Sequence, residues 1–287
     1  MTIMYLTFGN KIEYHIQAYF SMLSFRKQLS KDDHIVMVTT CPNYYRKASE
    51  WIDVLSLDKE QVKEWEGAHH YKFRVKTMAM KQYVESHPQE HLLFVDTDTF
   101  LYGNLNDIRN LLDQGKAIMH KDEGHPSHMK GPSLRMWKTL EGKEFAGIKI
   151  NERHNMWNSG IIGIPAQKTQ AVTSHTLQLL DDMLEKGVTS FNIEQYAMSI
   201  AMTEHLHLEE ATSLVGHYWG NKETWERIAC ELLLRSYMQK SNLDEEMNEI
   251  NNALFHSEPI FIHKSNTANR LKKMIDKIFK DKDQKYI

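Results

Sequence analysis

The stretch HLLFVDTDTFLY, His91–Tyr102, closes a short apolar run with two carboxylates one residue apart, Asp96 and Asp98. The run Leu92 to Val95 has the length and character of a buried strand. In open α/β sheets, ligands bind beyond the carboxyl ends of the strands. The two aspartates therefore leave a buried strand where such a fold places its chemistry. The plainer alternative is that Asp96 caps the turn and Asp98 is solvated, a common use of aspartate after a strand.

Short apolar runs alternate with helical-period segments on both sides of this stretch, which predicts an α/β sheet with parallel strands. MYLTF, Met4–Phe8, reads as the first strand, followed after Gly9-Asn10 by a helix with Ile16, Tyr19, Phe20 and Leu23 on one face. His34–Thr40 is the second strand, Pro42 suits a helix start, and Trp51–Leu57 is a weaker third strand. Asp58 can cap the next helix and Gly67 can stop it. A further helix runs from about Tyr71 to Ser86, and another covers Leu105 to Leu112. Ala117–His120 and Ile161–Pro165 continue the sheet. Between them Lys121 to Ile150 reads as a long irregular loop, usually a functional feature in a compact domain. Helices follow at about Ala166 to Lys186 and Asn192 to His205, and SLVGHYWG is a strand-to-loop passage. From Glu223 onward the chain reads as helix apart from PIFIH, so residues 1–222 are expected to form the α/β domain and 223–287 an α-helical C-terminal extension.

Composition narrows the function. With 287 residues, 41% of them apolar, the chain is long enough for a sizeable core. A formal net charge of −3 carries no global signature of a nucleic-acid binder. Cys41 and Cys230 are far apart and form neither a metal-ligand nor a redox pair in sequence, which favours a reducing compartment. The N-terminus lacks the pattern of a secretory signal, and no apolar stretch approaches the roughly 18 residues of a membrane span. Cytoplasm is the expected location.

Two aspartates at i and i+2 in a turn can offer oxygens to a hard divalent cation such as Mg²⁺ or Mn²⁺, which takes its other ligands from water and substrate phosphates. His217 in GHYWGNK could add a ligand, and Lys222 could meet a phosphate as a point charge. The alternatives are a packed surface histidine and a solvated lysine. In WNSGIIGIP, Trp157–Pro165, Asn158 and Ser159 offer side-chain hydrogen bonds and Gly160 permits close backbone approach, unless the segment is an ordinary turn before a strand.

Taken together and in order, VDTDTF, MWNSGIIGIP and HYWGNK resemble the GT-A fold glycosyltransferases, and more closely those similar to glycosyltransferase family eight. The resemblance covers roughly residues 3 to 225. It implies a GT-A (Rossmann-like) nucleotide-diphospho-sugar transferase fold and a metal, Mn²⁺ or Mg²⁺, held by Asp96, Asp98 and His217. It places phosphate on Lys222, and on Arg74 or Lys76 in YKFRVKTMAM. Thr7, Phe8, Gly9 and Asn10 stand where members hold base and ribose, and Thr97 lies within the nucleotide-binding motif. Asn158, Ser159 and Gly160 line the sugar site. Glu194-Gln195 stands where members often carry an Asp-Gln pair, and with Asn158 is assigned to the catalytic group. HYWGNK is one residue shorter than the family's H-x-x-G-x-x-K. The implied reaction is hexosyl transfer from a nucleotide-diphospho-sugar, expected to be a UDP-sugar, to a glycan, lipid-linked or protein acceptor, with retention of configuration.

Rival readings have their own signatures. An apolar strand followed by D-x-D also opens the haloacid-dehalogenase-like phosphatases, but about ninety residues of α/β pattern precede Asp96 and no later G-D-x-x-x-D pair follows. TFGNKIEYH is not the Gly-rich, Arg-containing loop of a sugar-nucleotide pyrophosphorylase. A non-catalytic nucleotide-sugar-binding module is the third alternative. At the C-terminus, Leu271, Met274, Ile275, Ile278 and Phe279 form an apolar stripe, and Lys264 to Lys285 carries eight Lys or Arg against three Asp. Such a helix either docks on the domain or lies peripherally on the anionic inner face of a membrane.

Overall fold

The computed structural model describes residues 1–262, 271, 274, 275 and 277–279. Its elements in chain order are β1 (Thr2–Thr7), α1 (Ile12–Arg26), β2 (His34–Thr39), β3 (Asp53–Ser56), α2 (Lys59–Glu66), α3 (Arg74–Ser86), β4 (Leu92–Val95), β5 (Thr99–Leu101), α4 (Leu105–Asp113), β6 (Ala117–Asp122) and α5 (Pro132–Leu140). They continue with β7 (Glu144–Phe145), β8 (Ile148–Lys149), β9 (Trp157–Ile164), α6 (Thr169–Glu185), α7 (Ile193–His205), β10 (Leu208–Glu210), β11 (Val215–His217), α8 (Lys222–Gln239), α9 (Leu243–Glu249) and α10 (Asn252–Phe255). Seven strands form the central sheet in the order β10-β6-β9-β4-β1-β2-β3. The fold is mixed α/β with a mainly parallel sheet, and the period-two rule sorts its side chains. Leu92 and Phe94 of β4 join the core under α3, α6 and α7, while Leu93 and Val95 join the one under α1 and α8.

Two expectations need correction. β9 runs antiparallel to both β4 and β6, and it begins at Trp157, so Asn158, Ser159 and Gly160 belong to a strand. The span from Lys121 to Ile150 is also less irregular than its Gly and Lys content suggests. Pro132 opens α5 after Gly131 at φ +67°, and Met136, Trp137 and Leu140 bury its inner face. The Asp58 capping box and the Gly67 stop of α2 are as expected.

Helix α1 is buried on nearly every side, because α8 covers the face that its apolar stripe leaves open. Its polar residues at offsets of four and seven then serve the chain after β4. Ser24 accepts from the Leu101 N–H at 2.9 Å, Ser21 lies 3.0 Å from the Thr99 hydroxyl, and Gln17 accepts from Thr97 at 3.4 Å. The opposite cover comes from Trp225 of α8, fully buried against Phe20, Phe100 and Tyr218. Cys41 and Cys230 are both free. Among the described residues no helix is long and apolar enough to cross a membrane.

Candidate metal centre

β4 ends at Val95, and Asp96 to Asp98 form a turn into β5, which pairs antiparallel with β11. The register sets His217 opposite Thr99, so a residue 119 positions after Asp98 is delivered beside it by one two-stranded ladder. The turn is tied on both flanks: the Asp96 N–H donates to Gly160 O at 2.9 Å, and the Tyr218 N–H donates to Asp98 O at 3.0 Å. Ligand atoms of Asp96, Asp98 and His217 all lie within 4.8 Å of one another.

The hydrogen-bond network fixes the histidine tautomer. Asn158 Oδ1 accepts from the Gly160 N–H at 3.0 Å, and Asn158 Nδ2 donates to Glu123 at 3.1 Å, which determines the amide orientation. His217 Nδ1, 2.9 Å from the same Oδ1, must then carry the proton. Its Nε2 lone pair faces Asp98 Oδ1 at 3.3 Å, so two acceptors confront each other and require a cation between them, a proton or a metal. A histidine that donates its far N–H to an acceptor is the usual arrangement around a bound metal. One nitrogen and two carboxylates form a donor set that fits Mn²⁺ better than Mg²⁺, which prefers oxygen throughout. His217 is also held on both sides. An added Cβ on Gly160 would sit 2.2 Å from its ring, and His120 meets it edge-on at 5.1 Å. Burial, with His217 next, lowers the His120 pKa to about 4, so His120 is neutral at pH 7.

Two lysines complete the charge balance. Lys76, almost wholly buried, donates to Asp96 at 3.1 Å and to Ser159 O at 2.7 Å. Burial opposes its charge, but Asp96 and Glu194 prevail and raise its pKa. Lys222 donates to Asp98 at 3.2 Å and stands 5.2 Å over the Tyr14 ring, so the shortened HYWGNK stretch still delivers it. Burial alone would raise the Asp98 pKa, yet His217 and Lys222 hold it well below the ordinary range.

Arg74 does not join them. Two residues apart on one helix are about 200° apart in direction, so Arg74 points to the far side of α3, where it binds Asp181 through two nitrogens and Trp65 O through a third. Thr7 is buried, its hydroxyl donating to Thr39. Phe8 to Asn10 lie beyond β1, on the same edge as Asp96 because β1 and β4 are parallel. Gln195 donates to Glu123 at 3.1 Å. Glu123 is the residue that motif reading missed: it carries no signature, and only the fold brings it to Asn158 and Gln195. Among the described residues no further carboxylate joins the cluster, as a haloacid-dehalogenase-like Mg²⁺ site would require; the third candidate ligand is His217.

Glu194 is buried, one carboxylate oxygen has no partner, and burial pushes its pKa up to about 7, with Lys76 opposing and Asp96 adding. Between about pH 4.3, where the carboxyl titrates in the unfolded chain, and pH 7, the folded state binds the extra proton. Stability therefore falls as pH rises through this window. Glu194→Gln is expected to be neutral at pH 4 and to stabilise by about 3 kcal/mol above pH 7. Urea melts at the two pH values check it, and equal effects at both would refute the assignment. Lys222 gives a second test, because it occupies Asp98. Lys222→Met is expected to raise the affinity for Mn²⁺ alone while weakening UDP in the presence of Mn²⁺, each by roughly tenfold. Calorimetry separates the two, and movement in the same direction would rule out the exchange.

No family model and no curated protein matches the sequence. Among solved structures, the chain is similar to the WbbM bifunctional glycosyltransferase in its apo form, at 13% identity over 73% of this chain with a TM-score of 0.44. It spans only 38% of that protein's length. It is also similar to apo mouse xyloside xylosyltransferase 1, at 10% identity over 73% of this chain and 84% of that one, with a TM-score of 0.47.

Proposed function

We propose that the protein is a metal-dependent glycosyltransferase that draws a sugar from a nucleoside-diphosphate sugar, in the simplest case a UDP-sugar, and passes it to a glycan, lipid-linked or protein acceptor. The observation that carries this reading is the convergence of Asp96, Asp98 and His217, flanked by Lys76 and Lys222, at the carboxyl edge of the sheet. Two carboxylates and a neutral imidazole would hold a divalent cation, and two ammonium groups beside it suit a diphosphate. When bound, the cation neutralises charge developing on the departing diphosphate.

The chain's own residues supply the rest. Asn158 fixes the His217 tautomer, Lys76 anchors Asp96, and Lys222 moves from Asp98 to phosphate oxygens. The Phe8 to Asn10 loop offers backbone groups to base and ribose, helped by Gly9 at φ +86°. Retention of configuration is the outcome that the motif resemblance implies. Calorimetry of UDP with and without Mn²⁺, followed by a screen of nucleotide-sugars for Mn²⁺-dependent hydrolysis, tests the reading; UDP affinity indifferent to metal would overturn it.

The acceptor side includes a membrane contact. The stripe residues Leu271, Met274, Ile275, Ile278 and Phe279 are 46–73% exposed, which supports the membrane reading over the docked one. With eight basic residues against three acidic ones from Lys264 to Lys285, this segment suits an anionic bilayer, each cation near the surface contributing about 1 kcal/mol. Sedimentation with phosphatidylserine vesicles is expected at low salt, to weaken as salt is added, and to vanish on deletion of 266–287. Binding that survives the deletion would place the contact elsewhere.

A further inference from the structure

Helix α8 packs onto the domain through Trp225, Ala229, Leu232 and Ser236. On the opposite side of its second half stand Cys230, Leu234, Tyr237 and Met238, whose offsets of four, seven and eight keep them within an arc of about 100°. Cys230 is exposed, and Leu234, Tyr237 and Met238 are 55%, 79% and 74% exposed. Tyr237 also walls a 180 Å³ groove together with Ile12 of α1 and Tyr44, both of them exposed. Apolar side chains from α1, α8 and the segment after β2 thus share one outward face. A contiguous face of this kind marks an interaction surface.

From Cys230 to Met238 the stripe is about 12 Å long. Even with Ile12 and Tyr44 it falls short of the ~800 Å² per partner typical of a stable protein interface. A surface too small to bind alone becomes effective when a second contact on the same molecule brings it to its partner. The C-terminal segment provides that second contact. Phe261 is fixed at the start of α8, where an added Cβ on Gly220 would fall 2.1 Å from its ring. The link from Phe261 to Leu271 spans at most about 33 Å when extended, whereas α8 from Lys222 to Met238 is about 24 Å long. The C-terminal stripe can therefore reach any point along α8, and one flat surface can meet both. Tyr237 suits a boundary between lipid and water, since its ring is apolar and its hydroxyl polar.

We propose that this face of α8, with Ile12 and Tyr44, is a second contact with the anionic bilayer to which the C-terminal segment tethers the protein. The tether supplies charge and the α8 face supplies apolar insertion, so the two together fix the orientation of the domain on the lipid. Lys222, which donates to Asp98, stands on the same helix about 12 Å before Cys230, so the contact holds the metal centre close to the lipid surface. The inference rests on the membrane contact given under the proposed function.

The test uses the full chain and vesicles of phosphatidylserine with phosphatidylcholine. With Cys41→Ser, Cys230 alone carries an NBD fluorophore, whose emission is expected to brighten and shift to the blue when vesicles are added. In unlabelled protein, Leu234→Ser combined with Tyr237→Ser is expected to lower the vesicle partition coefficient roughly tenfold. The factor is expected to be the same at low and at high salt, because apolar burial is not screened as charge attraction is. Both side chains are exposed, so the double variant is expected to fold, and thermal melts verify it. Sedimentation of the intact protein with unchanged Cys230 emission, or a double variant that partitions like the wild type, would overturn the α8 contact and leave the C-terminal one standing. No sedimentation of the intact protein would remove the membrane reading itself, and this contact with it. Emission already blue without vesicles and shifted to the red by deletion of 266–287 would assign the face to the C-terminal segment. A dimer in sedimentation velocity that the double variant loses would assign it to a second copy, and either result overturns the proposal.

Discussion

Asp98→Ala is expected to abolish Mn²⁺-dependent binding of UDP. Loss of a residue that merely orients a ligand costs about 10- to 100-fold in metal affinity, and Asp98 is a proposed ligand that also faces His217 and Lys222. Removing it would leave the cation with one carboxylate and one neutral imidazole. Titration of Mn²⁺ with and without UDP measures the loss, and unchanged metal-dependent affinity would sink the clamp. The same substitution alters acid stability. The folded-state pKa of Asp98 is depressed, so its stabilising contribution is fully present above the ordinary carboxylate pKa of about 3.9 and is lost as pH falls below it. The variant should therefore lose less stability than the wild type on acidification below pH 4.

Gly160→Ala should impair the centre nearly as severely without touching a ligand. The new methyl group would sit 2.2 Å from His217 Nδ1 and 2.3 Å from Cε1, distances that no packed pair tolerates. Gly160 lies inside β9, and its φ is not in the left-handed region, so alanine meets no backbone penalty there. The whole effect falls on the ring, which His120 confines from another side. His217 must rotate away, breaking its bond to Asn158. The expected cost is at least ~100-fold in Mn²⁺ affinity and about 1–3 kcal/mol of stability from overpacking. Thermal melts and Mn²⁺ titration read the two separately. Wild-type metal affinity in this variant would mean that His217 is not a ligand.

Much of this site is legible in the linear chain because short-range rules govern its parts. A run such as Leu92–Val95 declares a buried strand by composition alone, and a carboxylate pair after it marks the sheet's functional edge. The capping box at Asp58 and the stop at Gly67 are equally local. Other parts depend on neighbours that sequence does not name. Gln17, Ser21 and Ser24 look like the solvent side of a helix until α8 closes over them, and then they become the support of β5. Arg74 and Lys76 are interchangeable as basic residues, and only the 200° between them on α3 decides which one meets Asp96.

Residue types and order therefore determined the α/β class, the position of Asp96 and Asp98 at the strand end, and the candidacy of His217 and Lys222, since each follows from patterns a few residues long. Tertiary structure alone decided the pairing of β11 with β5 that joins His217 to Asp98, the antiparallel course of β9, and the arrival of Glu123 beside Asn158 and Gln195. Those contacts link residues tens to more than a hundred positions apart. Their partners are selected by the register and burial of whole strands and helices, quantities that no local pattern encodes.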